Sequence, residues 1–213
     1  MHSRKTLYTT LVALVAGTTI VACTTRDRDV AVADSTTAAN VAPAAAPVDT
    51  TTSAGAVTNE NGWTDGQIVA FMDAANNGEI EEGKLAERKA TNPAVKAFAR
   101  QLVADHQAML KDARALASKQ GLTTDANRDD VRDLLNDTQD ELKDLSDKPA
   151  GKDWDEEYID KQIDGHKDVL NKLQDLEKNT TDPQLKEALN KAVGKVQSHL
   201  TKAQDIKDNK LKD

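Results

Sequence analysis

Cysteine is all but absent from this 213-residue chain, and the single one, Cys23, rules out an internal disulfide. Aromatic residues make up only 3%, too few for a β-sandwich core, whose strands favour aromatic and β-branched side chains. Basic charge is in the minority, with 28 Lys and Arg against 36 Asp and Glu, and it forms no dense patch. A surface with net charge −8 repels phosphate backbones, so no nucleic-acid partner is expected. There is no glycine-rich phosphate loop and no Ser or Cys nucleophile with a partnered base. Carboxylates abound on solvent faces, but no glycosidase-type pair stands out. Nothing here singles out an enzyme.

What is present begins with one long uncharged run. After Arg4 and Lys5, "LYTTLVALVAGTTIVAC" extends to Cys23. A basic start, an apolar stretch and small residues before a cut describe a secretory signal, too short and too rich in threonine to span a bilayer. Its ending, Ile20-Val21-Ala22-Cys23, resembles a bacterial lipobox. That resemblance implies lipidation of Cys23, attachment to the membrane through the lipid, and a place in the bacterial cell envelope. Thr24 after the cysteine, in place of aspartate, resembles the outer-membrane default, with the domain in the periplasm. Residues 24–62 are mostly Ala, Thr, Val, Asp and Pro and cannot bury enough surface to order themselves. The expected organisation is a signal over 1–22, a lipidated tether over 23–62, a helical domain over 63–207 and a charged tail over 208–213. Random-coil scaling sets the domain roughly 35 Å from the lipid surface.

Four long helices follow from punctuation and period. Thr64 with Gln67 three residues on is a capping-box pattern. Asn92-Pro93 and Asp182-Pro183 each read as N-cap followed by Pro at the first helical position. Gly121 marks a stop. A third long helix opens near Asp153. The second carries the stripe Val95, Phe98/Ala99, Leu102, His106, Met109, Ala113, Leu116. The third carries Tyr158/Ile159, Gln162, His166, Val169, Leu173, Leu176, and the fourth Leu185, Leu189, Ala192, Val196, His199, Ala203, Ile206. A shorter helix around Val131–Leu145 joins the second and third, with Leu134, Leu135 and Leu142 expected to face inward. Short connections within each pair predict an all-α, antiparallel four-helix bundle built from two helical hairpins. The motifs "NPAVK" and "DPQLK" hint at an internal repeat.

Beyond His2, the chain has three histidines, and each lies on the apolar stripe of a different long helix. One spatial cluster explains this more simply than three separate placements. Counted from the hairpin turns, Glu79 and His106 are nearly level, as are His166 and His199, with the second pair about one helical turn further from its loop. Glu82, at i+3, is less level with His106, and a solvated position fits either carboxylate. Three imidazoles and a carboxylate, Glu79, His106, His166 and His199, suit a mononuclear site for one transition-metal ion: zinc, iron, manganese or copper. A di-iron centre wants Glu three residues before His on two helices; Val103, Ile163 and Val196 occupy those positions. The same histidines would also serve as a buried polar network with Tyr158 and Gln162, or as a pH-responsive core.

"GEIEEGKLAERKATNPAVKAFARQLVADHQAML" and "WDEEYIDKQIDGHKDVLNKLQDLEKNTTDPQLKEALNKAVGKVQSHLTKA" resemble the bacterial domain-of-unknown-function family 4142. The most telling pieces are Ala104–His106, Trp154-Asp155 with Tyr158, and the spaced His166 and His199. Glu79 falls where the family pattern usually has an acid. The resemblance covers about residues 64–205. It implies a ferritin-like helical bundle and an envelope location, and no particular reaction. Two functional readings follow: a lipid-anchored, non-enzymatic binding or stress-related module with an envelope protein partner, and a metal-binding storage or redox protein.

Overall fold

A computed structural model describes residues 62–212 of the chain. The expected signal, the expected lipidation site Cys23 and nearly all of the expected tether lie outside the described residues. Among the described residues the protein is all helical, with α1 Asp65–Lys89, α2 Pro93–Gln120, α3 Asp129–Asp147, α4 Lys152–Asn179 and α5 Pro183–Asn209. No helix among them is long and apolar enough to cross a membrane.

Local chemistry accounts for most boundaries. The Thr64 hydroxyl accepts from the Gln67 N–H, and the Gln67 side chain accepts from the Thr64 N–H, closing the capping box. Asn92 and Asp182 cap α2 and α5 by accepting from Ala94 N–H and Leu185 N–H, each followed by proline. Gly121 ends α2 with φ +65°, the left-handed conformation that a side chain disfavours. The start of α4 differs from expectation. Gly151 is its N-cap and no side chain caps it, so Asp153 sits inside the first turn, where its charge favours the helix dipole.

Successive contacts set the helix directions. Asp73 pairs with Arg114, Asn76 with His106, and Gly83 lies against Val103, so α1 descends as α2 climbs. Likewise Asp160 meets Lys207 and His166 meets His199 across α4 and α5. Asp105 meets Lys195 and Gln120 meets Asp182 across α2 and α5. The core is aliphatic with a few rings: Trp63, Trp154, Tyr158, Phe98, Ile68 and Leu102 are among its largest fully buried side chains.

α3 lies against α1 and α4. It packs so closely on α1 that a Cβ at Gly78 would sit 2.9 Å from Thr138 Cγ2. Its C-terminal carbonyls are capped by the Lys89 ammonium, and Trp154 Nε1–H donates to the Leu145 carbonyl at 2.7 Å. Val131 and Leu145 are its fully buried residues, with Leu134 and Leu142 partly buried. Leu135 corrects the expectation: it is 40% exposed, because α3 turns the narrow Val131–Leu134–Leu142–Leu145 stripe inward and position 135 rotates off it. In α2 the buried stripe likewise drifts to Leu110 and Ala117, leaving Met109 and Leu116 half-buried. The core also reaches into the expected charged tail, where Leu211 is buried and its N–H donates to the Ile206 carbonyl.

Candidate metal centre

His106 on α2, His166 on α4 and His199 on α5 converge in the middle of the domain. Each offers one ring nitrogen, and the three nitrogens lie within 4.8 Å of one another. All three residues are at most 3% exposed. Ring centroids are 5.1 Å apart for His106 and His199, 5.5 Å for His166 and His199, and 6.0 Å for His106 and His166. The Phe98 ring stands edge-on to His199 at 6.5 Å.

Neighbouring polar groups decide which nitrogens carry protons. Asn76 Nδ2–H donates to the Met72 carbonyl at 2.6 Å, which orients its Oδ1 as the acceptor for His106 Nδ1–H at 3.0 Å. That leaves His106 Nε2 with a free lone pair and no hydrogen-bond partner. His199 Nε2–H donates to Asp105 Oδ2 at 2.9 Å, leaving Nδ1 likewise without a partner. This is the arrangement metal-binding imidazoles use, one nitrogen steadied by an oxygen and the other presented to the ion. Neither ring nitrogen of His166 has a hydrogen-bond partner, and its Nδ1 stands 3.4 Å from Glu79 Oε1.

The sequence expectation about Glu79 needs revision in one respect. Glu79 lies against His166 across the two hairpins, and the residue of α1 that faces His106 is Asn76, one turn earlier. Counting from the loops gives height along a helix but not the direction a side chain takes around it. Glu82 is not solvated. It is 6% exposed and accepts from Gln162 Nε2–H at 2.8 Å. No periodicity or spacing in the sequence marks Asn76 or Asp105. Asp105 directly precedes His106, yet it serves His199, a cross-helix pairing that spacing does not announce.

Burial drives the titration of the cluster. It pushes His106 well below the usual imidazole value, reinforced by His166 and His199, and pushes His166 down to about 4. His199 is also lowered by burial, against the opposing pull of Asp105. At neutral pH all three are neutral, the form that ligates. Burial raises Glu79 to about 7 and Glu82 well above the carboxylate range, the latter reinforced by repulsion from Glu79. Metal–nitrogen bonds near 2.0–2.1 Å need nitrogens about 3.4 Å apart around a tetrahedral ion. The cluster is thus gathered but not clenched, and closing it needs displacements on the order of 1 Å.

Fold and site together define an all-helical bundle protein with a buried three-histidine cluster able to hold a metal ion. Residues 46–206 match the family described as Domain of unknown function (DUF4142), and the chain belongs to that family. Among solved structures, CopM in its Cu(I)-bound form is similar, with a TM-score of 0.55 and 18% identity over 69% of this chain and 97% of that one. CopM in its Cu(II)-bound form gives 0.54 and 17% over the same shares. At this identity the likeness shows the fold. No curated protein matches the chain in sequence.

Proposed function

We propose that this chain is a lipid-anchored envelope protein that sequesters one transition-metal ion, copper, at His106, His166 and His199, with Glu79 as the adjoining carboxylate. The supporting observation is the pairing of Asn76 with His106 and of Asp105 with His199, which leaves an unpartnered buried nitrogen on each ring. Left without an ion, each such nitrogen costs about 1–3 kcal/mol of lost hydrogen bonding. Imidazole suits copper, zinc and iron alike; the likeness to a fold seen with bound copper favours copper. When bound, the ion would supply its own redox or Lewis-acid chemistry, and the chain supplies neutral nitrogens in a buried setting. The "IVAC" ending at Cys23 supports the anchor. We read the four long helices as an antiparallel, ferritin-like bundle with α3 added, a reading supported by the opposed directions of the pairs α1–α2, α2–α5 and α4–α5.

The test is metal content and thermal melting of the purified chain, with and without chelator, beside His106→Ala. The expected result is close to one copper per chain, lost in the variant. Saturation at about a hundred times Kd adds about 2.7 kcal/mol, which chelation removes as a Tm drop of roughly 5–10 °C. No ion retained after incubation with copper, zinc, iron or manganese, and no chelator effect, overturns the reading. The histidines would then be a polar network that fixes helix register, as the Glu82–Gln162 bond already does in part.

A further inference from the structure

A cavity of about 180 Å³ lies between α1, α3 and α4, and His106 and His166 form part of its wall. That is far above the roughly 10–15 Å³ that admits one water. Its outer wall carries Asp137 and Glu141 from α3 and Asp164 and Asp168 from α4, the three aspartates exposed. Deeper in are Glu79 and Glu82, beside the unpartnered Nε2 of His106 and Oε1 of Gln162, residues 3% and 1% exposed. One basic group lines it, Lys161, which lies 3.9 Å from Glu141. A second cavity touching His106, beside Met72, Met109 and Leu173, measures about 20 Å³ and is almost wholly apolar.

From this contrast we infer that the space between α1, α3 and α4 is the passage by which a metal cation reaches the histidines, with Glu79 and Glu82 as its inner oxygen stop. The inference rests on the metal-binding reading above. A cation leaving water needs oxygen partners along its path, because a bare charge in an apolar channel is prohibitive. This route offers carboxylates at the mouth, carboxylates midway and imidazoles at the end, whereas the small cavity reaches His106 past Asn76 and apolar side chains, with no carboxylate along its wall. The outer carboxylates also concentrate cations at the mouth and speed capture. Lys161 opposes them and acts as an electrostatic brake.

Gly165 provides a plug. It lines the passage, and a Cβ placed on it meets nothing within 4 Å, so a larger side chain starts into open space. Leucine there also favours the helix.

The experiment is stopped-flow mixing of the full chain with Cu(II) chloride, following quenching of tryptophan fluorescence, at several ionic strengths. Equilibrium copper content and helicity are measured on the same samples. Gly165→Leu is expected to slow uptake about tenfold while the chain still loads one ion. Asp137→Asn with Asp168→Asn should slow it severalfold and flatten its salt dependence, and Lys161→Gln should speed it, since charge-steered capture changes by tenfold or more with local field. These opposite signs separate steering from a general loss of structure, and the two charge variants carry the test if Gly165→Leu misfolds. If the variants load copper at the wild-type rate, the ion enters elsewhere and the inference falls while the metal site stands. If no variant and not the parent chain loads copper, the metal reading itself fails, and the passage with it.

Discussion

The two helical hairpins open their second helices with the same chemistry and then diverge. Thr91-Asn92-Pro93 and Thr181-Asp182-Pro183 begin α2 and α5 alike. The first turn is clamped to α4 by the buried Asp155 carboxylate, which accepts from Thr91 N–H, the Thr91 hydroxyl and Asn92 N–H. The second is tied to α2 through exposed or half-buried side chains, with Gln120 donating to the Asp182 cap and Lys119 donating to Gln184. Their middles differ as well. The α4–α5 pair sets histidine against histidine, whereas the α1–α2 pair sets His106 against the amide of Asn76. A repeated scaffold has thus become asymmetric: α1 contributes oxygen groups, and the three imidazoles come from the other long helices, α2 adding the Asp105 carboxylate. Such a division suits a site in which some groups touch an ion and others hold those groups still.

Breaking the clamp gives the largest expected change. Asp155→Ala leaves three donors at the first turn without their acceptor, a loss of about 3 kcal/mol for charge-assisted bonds at a residue 1% exposed. For a domain of this size that lowers Tm by roughly 6–12 °C in a melting scan. Asp182→Ala, at the other turn, removes one cap and costs about 1 kcal/mol. Equal losses would mean the turns are equivalent after all.

The middle layer is probed next. Asn76→Ala removes the acceptor that fixes the His106 tautomer but no ligand. Copper affinity is expected to fall by about 10–100-fold, the usual cost of losing an outer partner, whereas His166→Ala removes stoichiometric binding. Competition titration against a chromophoric chelator separates the two. A variant at Asn76 that binds copper like the parent would deny α1 its supporting role.

How much of this is legible in the sequence follows from where neighbours act. The caps at Thr64, Asn92, Asp182 and Gly121 depend on a few adjacent residues, so the sequence states them directly. The three histidines stood out because polar residues broke apolar stripes of helical period. The place of Asn76 depends on α2 lying against α1, that of Glu82 on α4, and the outward turn of Leu135 on the way α3 packs. With neighbours on several sides, α1 buries polar residues that its own weak amphipathicity assigns to solvent. Direction around a helix, and pairing such as Asp105 with His199, belong to the packed state and leave no mark on spacing.

Without metal, pH sharpens the comparison between nitrogen and oxygen sides. His166 falls from 6.5 to about 4 on folding, so between those values the unfolded chain binds a proton the folded one refuses, and stability rises with pH. Glu79 rises from 4.5 to about 7, so between those values the folded chain holds a proton the unfolded one lacks, and stability falls with pH. From pH 4.5 to 6.5 the two slopes cancel. Glu79→Gln removes one of them, and denaturant titrations should then show stability climbing more steeply than in the parent, by about 1.4 kcal/mol per pH unit. An unchanged slope would mean that Glu79 is not protonated in the folded chain near pH 6.

The smallest expected effect tests the repeat at a single methyl-for-hydroxyl exchange. Thr91 and Thr181 hold the same place in the two turns, and valine matches threonine in shape. Thr91 donates to Asp155, so Thr91→Val removes a bond to a carboxylate at a partly solvated site, worth about 1 kcal/mol. Thr181 is exposed, and Thr181→Val should stay within about 0.5 kcal/mol of the parent. The difference is decided in one background, because Asp155→Ala removes the acceptor. If Thr91→Val costs nothing further in that variant, the coupling belongs to the clamp, and the asymmetry of the hairpins begins at their turns. If the two valine variants cost the same, turn chemistry is shared and the hairpins part company only at the histidine layer.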